Sequence, residues 1–190
     1  MASAAAMTGE EAARYTRVAV FLHWLITALL IGNIVLGLTY DSFGKAATPW
    51  TMFFHKATGL SVLALTLARL AWRLTHRPPA FDPVLKPWER SLAGFIHWLF
   101  YVMLLAIPLT GWLLSSSSGR ATSFFGLFEV PPLPISRSDN VHDLFEDLHE
   151  WLGKGMIGLV LLHVAGALKH HFDGHRHLVG RMAPWLYRGR

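Results

Sequence analysis

Apolar residues along this 190-residue chain are gathered into long blocks instead of being spread at amphipathic spacing. Four blocks reach the roughly 20 residues that a helix needs to cross a hydrocarbon layer. They are residues 18–39, 52–74, 92–115 and 148–172. The second is the least apolar, with His55 and Lys56 near one end and Arg69 and Arg73 near the other, positions from which long side chains reach the interface. A short connection (41–50), a Pro-rich one (76–90) and a long one rich in Ser, Gly and Pro (116–147) separate the blocks. Within the last, residues 124–134 (FFGLFEVPPLP) are too short and too Pro-broken to cross, and are expected to lie at the membrane surface. The predicted fold is all-α: a four-helix transmembrane bundle spanning residues 18–172, after an amino-terminal segment (1–17) and before a basic tail (173–190).

Composition sharpens that picture. Hydrophobic residues make up 53% of the chain and charged ones only 15%, well under the roughly 25% of soluble domains. Cys is absent, which excludes disulfides, thiolate metal centres and a thiol nucleophile and leaves His as the natural metal ligand. Glu10 and Glu11 interrupt the start of the chain, so it lacks the pattern of a cleavable signal and the first apolar block is expected to remain as a span. The excess of Lys and Arg is read as flanking the spans, with no nucleic-acid partner expected. Twelve of the 17 fall on the side shared by both termini and the second connection, which predicts cytoplasmic termini. Seven of the 12 acids fall on the other side, against five cations there.

Five histidines lie within the blocks: His23, His55, His97, His149 and His163, with His170 at the end of the fourth. Ionisable groups at membrane depth are costly and mark functional sites. His149 and His163 are 14 residues apart, close to four full helical turns, so both rings share a face about 21 Å apart. His55 matches the depth of His149, and His23 that of His163. Two imidazole pairs at two depths are what two bis-imidazole haems require, His55 with His149 and His23 with His163. Gly32, Gly37, Gly59, Gly153, Gly155 and Gly158 could let a porphyrin approach the backbone. Arg69 and Arg73 at the inner level, and Lys56 and Lys154 at the outer, are candidates to offset propionate charge, with interface anchoring as the equal alternative. Pro108 is expected to kink the third helix. His97, beside Trp98 and Tyr101, is left out of ligation and read as a packing residue or propionate donor. His170 is the candidate quinone contact, seven residues beyond His163 and near the same face, with Trp24 and Thr27 as further pocket residues; a solvated helix end is the competing reading.

The stretch 14–37 (RYTRVAVFLHWLITALLIGNIVLG) resembles the bacterial cytochrome b561 family. So do HKATGL at 55–60 with Arg69, Arg73 and Pro78-Pro79 after it, PLTGW at 108–112, and the pair LHEWLG and LLHVAGALKHHF. That family is related to the cytochrome b subunits of nickel–iron hydrogenases and formate dehydrogenases. The resemblance implies a four-helix bundle in the bacterial inner membrane, two b haems and electron exchange with quinone. Its ligand positions fall on His23, His55, His149 and His163. Some members are superoxide:ubiquinone oxidoreductases.

Three functions stay open on the sequence. The first is a stand-alone diheme oxidoreductase carrying electrons from an outer donor, such as superoxide, to ubiquinone. The outer net charge of −2 opposes anion steering, although Lys56, Lys154, Arg120 and Arg137 could form a local positive patch. The second is a membrane anchor and electron conduit for a partner redox protein, docked on the third connection through Phe124, Phe125, Leu127 and Phe128. The third is a haem-free, His-lined metal or proton transporter.

Overall fold

A computed structural model describes residues 15–42 and 44–186. Four long helices dominate it: α1 (Arg17–Leu38), α2 (Thr48–Thr75), α3 (Pro87–Ser117) and α4 (Asp139–Phe172). Each carries a segment long and apolar enough to cross a membrane. They run up, down, up and down, so one end of the bundle gathers the start of α1 and the end of α4 (the termini end). The other holds the α1–α2 and α3–α4 connections (the hairpin end). Arg14, Arg188 and Arg190, used in reading the orientation, lie outside the described residues, as do Glu10 and Glu11.

All four spans appear where the apolar blocks lie, but every helix begins earlier than its block does, α1 by a single residue. The largest extension is in α4, which starts at Asp139 after extended Ser138 and adds two turns carrying Asp143, Glu146 and Asp147. Apolarity marks only the part of a helix that contacts hydrocarbon. Acids in the first turns of a helix are favoured by its dipole and extend it into water. The start of α1 is fixed by Thr16, whose hydroxyl accepts from Ala19 N–H at 3.2 Å and from the indole N–H of Trp72 on α2 at 2.9 Å. Pro87 opens α3, and Glu89 accepts from the Lys86 N–H at 2.9 Å. Pro108 sits inside α3.

The packing follows two helix hairpins. Helix α1 lies along α2 and α3 along α4, and the hairpins join through α2 and α3. A small core of Ile26, Val62, Ile96, Met103, Leu104, Met156 and Leu159 closes the centre. Phe21, Ile31, Val35, Leu67, Leu161 and Leu162 remain exposed around the outside of the same helices. An apolar girdle of that extent is unstable in water and is what lipid solvates.

The long third connection is more ordered than a loop. Thr122–Phe124 (β1) and Phe128–Val130 (β2) pair antiparallel, with Phe124 opposite Phe128. In the three-residue connection Phe125 and Gly126 both have positive φ, 52° and 75°, and the Leu127 N–H closes the turn on the Phe124 carbonyl at 3.0 Å. β1 rests on α2. The tip leaves Leu127 77% exposed and Phe128 more than half exposed.

The segment after α4, read from sequence as a basic tail, is tied back across the termini end. A short helix α5 (Arg176–Gly180) and a final turn (Pro184–Leu186) follow Gly174, whose φ of 88° reverses the chain. Asp82, in the α2–α3 connection, accepts from His177 and from Arg181, each at 3.1 Å. Arg181 also donates to the Ala80 carbonyl at 2.9 Å, and the Trp24 indole donates to the Met182 carbonyl at 2.7 Å. The Val84 N–H, reinforced by His177 and Arg181, holds the Asp82 carboxyl below the usual carboxylate range. A carboxylate held below that range keeps its contacts at and above it and releases them as pH falls further, through the lowered pKa. The latch should therefore persist from neutral pH into the mildly acidic region and open only below the ordinary carboxylate range, followed by hydrogen exchange of residues 176–183. Asp82→Asn should open it at neutral pH, seen as faster tryptic cleavage at Arg176 and Arg181. An unchanged cleavage rate would assign the fold-back to Trp24 and packing alone.

Candidate functional site: four histidines in two pairs

The structure brings the four histidines singled out by spacing together in the expected combinations. At the hairpin end the rings of His55 on α2 and His149 on α4 are 5.9 Å apart, centre to centre. At the termini end those of His23 on α1 and His163 on α4 are 6.5 Å apart. Two metal–imidazole bonds of about 2 Å, taking the zinc value as a guide, plus two ring radii come to roughly 6 Å. Either pair could hold one iron between its rings. The hairpin end offers two imidazole donors and the termini end has a third ring, His97, beside His163, but no group of three or more metal-binding side chains able to hold a bare ion occurs among the described residues. Two axial nitrogens suit a macrocycle that supplies the other four ligands itself.

Helix packing agrees with this. Helix α4 packs along α3 but makes no extensive contact with α1 or α2, although its two histidines face theirs. Each His pair thus bridges helices that do not otherwise close on each other. Asn33 Oδ1 and Thr66 Oγ1 are buried without a hydrogen-bond partner among the described residues. An added Cβ at Gly32, Gly153 or Gly158 would meet nothing within 4 Å, whereas Gly155 touches Met103 and Gly59 touches Asn33.

The hairpin-end pair is held by one device used twice. His55 Nδ1 lies 3.0 Å from the Asn33 carbonyl on α1, and His149 Nδ1 lies 2.9 Å from the Ile107 carbonyl on α3. A carbonyl can only accept, so in both rings Nδ1 carries the proton and Nε2 is left with its lone pair. Four residues beyond each carbonyl is a glycine on which the ring rests: a Cβ at Gly37 or Gly111 would fall 2.9 Å from the Cε1 of His55 or His149. Thr110 Oγ1 adds a contact to His149 Nδ1 at 3.2 Å.

The termini-end pair is built differently. His163 is surrounded by aromatic rings, His23 at 6.5 Å, His97 at 5.8 Å and Phe100 at 5.3 Å. His97 is thus as close to His163 as His23 is, but it sits on α3, which already packs against α4. Arg69 donates to the Ala19 carbonyl at 2.5 Å, one turn before His23, and Arg73 lies 5.7 Å from the centre of the Tyr101 ring. Arg73, His97, Trp98 and Tyr101 line a cleft of about 410 Å³ between α2 and α3.

The remaining candidates separate. Lys56 donates to Ser115 Oγ at 3.2 Å, within a buried hydroxyl group that includes Ser116, Ser117 and Thr122. Lys154 instead pairs with Glu150 and lies over the Trp151 ring, so its charge is already engaged. His170 faces His175 at 6.4 Å, Thr27 Oγ1 donates to the His23 carbonyl, and the Trp24 ring stacks edge-on against Trp185 at 5.3 Å. Trp24 and His170 both touch the returned carboxyl-terminal segment, which sequence reasoning placed elsewhere. The two carbonyls, Gly111, Phe100 and the Ser115–Ser117 group escaped it as well. PLTGW was the available signal for Gly111, since a glycine one turn from an in-helix proline invites a close neighbour.

Comparison with known proteins meets this geometry. The chain is 32% identical over 165 residues to cytochrome b561 homolog 2 of Escherichia coli (strain K12), covering 84% of this chain and 85% of that protein. It is 28% identical over 175 residues to cytochrome b561 homolog 1 of the same organism, covering 90% and 97%. A third relative, the probable superoxide oxidase CybB of Yersinia pestis, is 26% identical over 175 residues, covering 90% and 96%. Residues 14–185 match the prokaryotic cytochrome b561 family, and the chain belongs to that family of membrane haem proteins.

Proposed function

We propose that this chain is a diheme oxidoreductase of the bacterial inner membrane, with both termini cytoplasmic, that takes electrons from superoxide at the outer face and delivers them to ubiquinone at the inner face. The observation that carries the reading is the pair of imidazole pairs at two depths of α4, each joining helices that are not otherwise packed. The positive-inside distribution makes the hairpin end the outer one. His55 and His149 would hold the outer haem b, His23 and His163 the inner. When bound, the haems supply one-electron transfer between the two faces.

At the outer face Lys56 provides the attraction for an anion. It neighbours His55 in sequence, donates only to a serine hydroxyl and has no carboxylate partner among the described residues. Arg120 and Arg137, likewise without a salt-bridge partner there, lie on the adjoining connection. The superoxide oxidase named among the relatives supports this donor. Two superoxide anions leave as two O₂, and their two electrons with two protons convert one quinone to the quinol. At the inner face Arg69 and Arg73 would offset propionate charge, with His97 as a hydrogen-bond donor. His170 would exchange a hydrogen bond and a proton with the quinone oxygen, Trp24 and Thr27 flanking it.

A second reading, a conduit for a partner redox protein, is favoured by one feature, the exposed apolar tip of the β-hairpin at Leu127 and Phe128. The two readings separate on whether purified protein reduces quinone with superoxide alone.

Three variants test the first reading. His149→Ala should lower the haem-to-protein ratio, measured by pyridine haemochrome, from two to one with the inner haem retained, since about 21 Å of helix separates the levels. Lys56→Gln should keep both haems but slow reduction by superoxide on the order of tenfold at low salt and flatten its salt dependence. His170→Ala should keep both haems and slow quinone-dependent reoxidation; a wild-type rate across quinone concentrations would leave His170 as a helix end.

A further inference from the structure

We infer that Gly37 and Gly111 are positioning residues that set the tautomer, and through it the reduction potential, of the outer haem. The inference rests on the two-haem reading above. It comes from an asymmetry between the two levels. Both outer imidazoles lie against a glycine of the neighbouring helix, with Nδ1 on the carbonyl four residues earlier: Asn33 and Gly37 for His55, Ile107 and Gly111 for His149. Neither inner imidazole has a ring hydrogen bond of this kind among the described contacts; those rings are enclosed by His97 and Phe100 instead.

The glycines are what make the bonds attainable. In both cases the ring whose nitrogen reaches the helix carbonyl also occupies the space of the Cβ one turn further on. At 2.9 Å from Cε1, a methyl at position 37 or 111 is closer than real Cβ contacts permit, so the ring must move. The backbone carbonyl it leaves cannot follow, because it belongs to its own helix ladder.

The chemical consequence is definite. An Nδ1–H donated to a carbonyl makes Nε2 a stronger donor to a metal, which favours the oxidised iron and lowers its potential. With His55 and His149 both so held, the potential of a haem they would bind should lie below the value the same residues would give without those bonds. A lowered potential at the outer site would favour the outer-to-inner direction of the proposed function.

The test is a spectroelectrochemical titration of purified wild type, Gly37→Ala and Gly111→Ala, with haem content measured in parallel. The expected result is two resolved components in wild type and an upward shift of the outer component in each variant, on the order of tenfold in its reduced-to-oxidised ratio at fixed potential. The inner component should stay in place. Selective loss of the outer haem would support the same role. Unchanged titrations in both variants would overturn it, as would loss of both haems in both variants, which would make the glycines general packing residues. Wild type with a single haem would instead defeat the two-haem reading, a result visible before any variant is made.

Discussion

A neutral imidazole in hydrocarbon has one N–H that must be satisfied and one lone pair free to bind, and the hairpin end of the bundle is organised around that requirement. Water is absent at that depth, and helix carbonyls are the most abundant acceptors. A carbonyl already used in its own helix ladder keeps a second lone pair, so it can take a proton from a neighbouring helix without breaking the ladder. Asn33 and Ile107 do this for His55 and His149. The geometry then dictates the close approach of α2 to α1 and of α4 to α3, and so the glycine at each contact. The first and second helix hairpins are in this sense defined by how they seat a histidine.

The same requirement explains the looseness elsewhere. The core between the hairpins is small and centred on Met156, which is fully buried, and the spans turn most of their large apolar side chains outward. In a bilayer there is no hydrophobic force drawing those residues inward, so packing and interhelical hydrogen bonds must hold the helices together. Helix α4, which carries a histidine at each level, meets α1 and α2 chiefly through those rings. In the proposed reading the haems complete the contact between the hairpins, and binding them stabilises the assembled bundle by mass action.

Much of this was legible in the sequence because two of its codes are simple. Apolar block length gave the number and place of the spans, and the 14-residue interval from His149 to His163 gave two levels on one face. Helix ends were less legible, since the acidic turns from Asp139 carry no apolar signal, and the β-hairpin at residues 122–130 was hidden by Phe125 where turn chemistry favours Asn. The glycine seats were only half visible: Gly37 drew attention as a small residue, but its neighbour is an imidazole, and Gly111 was noticed only within a motif. Pairings across helices, such as Asp82 with Arg181 or Trp24 with Met182, have no local signature at all. A chain segment that looks like a basic tail differs from a latch only in where its partners happen to fold.

Charge at the hairpin end shows why a regional sum is a poor guide to a site. The acids outnumber the cations there, yet most of them lie on the first turns of α4, where the helix dipole and water stabilise them. Lys154 is drawn into that group by Glu150. Lys56 is not: it enters a cluster of serine and threonine hydroxyls, groups that solvate an ammonium without cancelling its charge. Coulomb attraction falls with distance and is screened within roughly 10 Å in salt, so a half-buried cation beside His55 that donates to a serine hydroxyl counts locally for more than its share of the regional sum. Lys56, with Arg120 near it, therefore makes a local positive field beside His55 that the net negative charge of the face does not reveal.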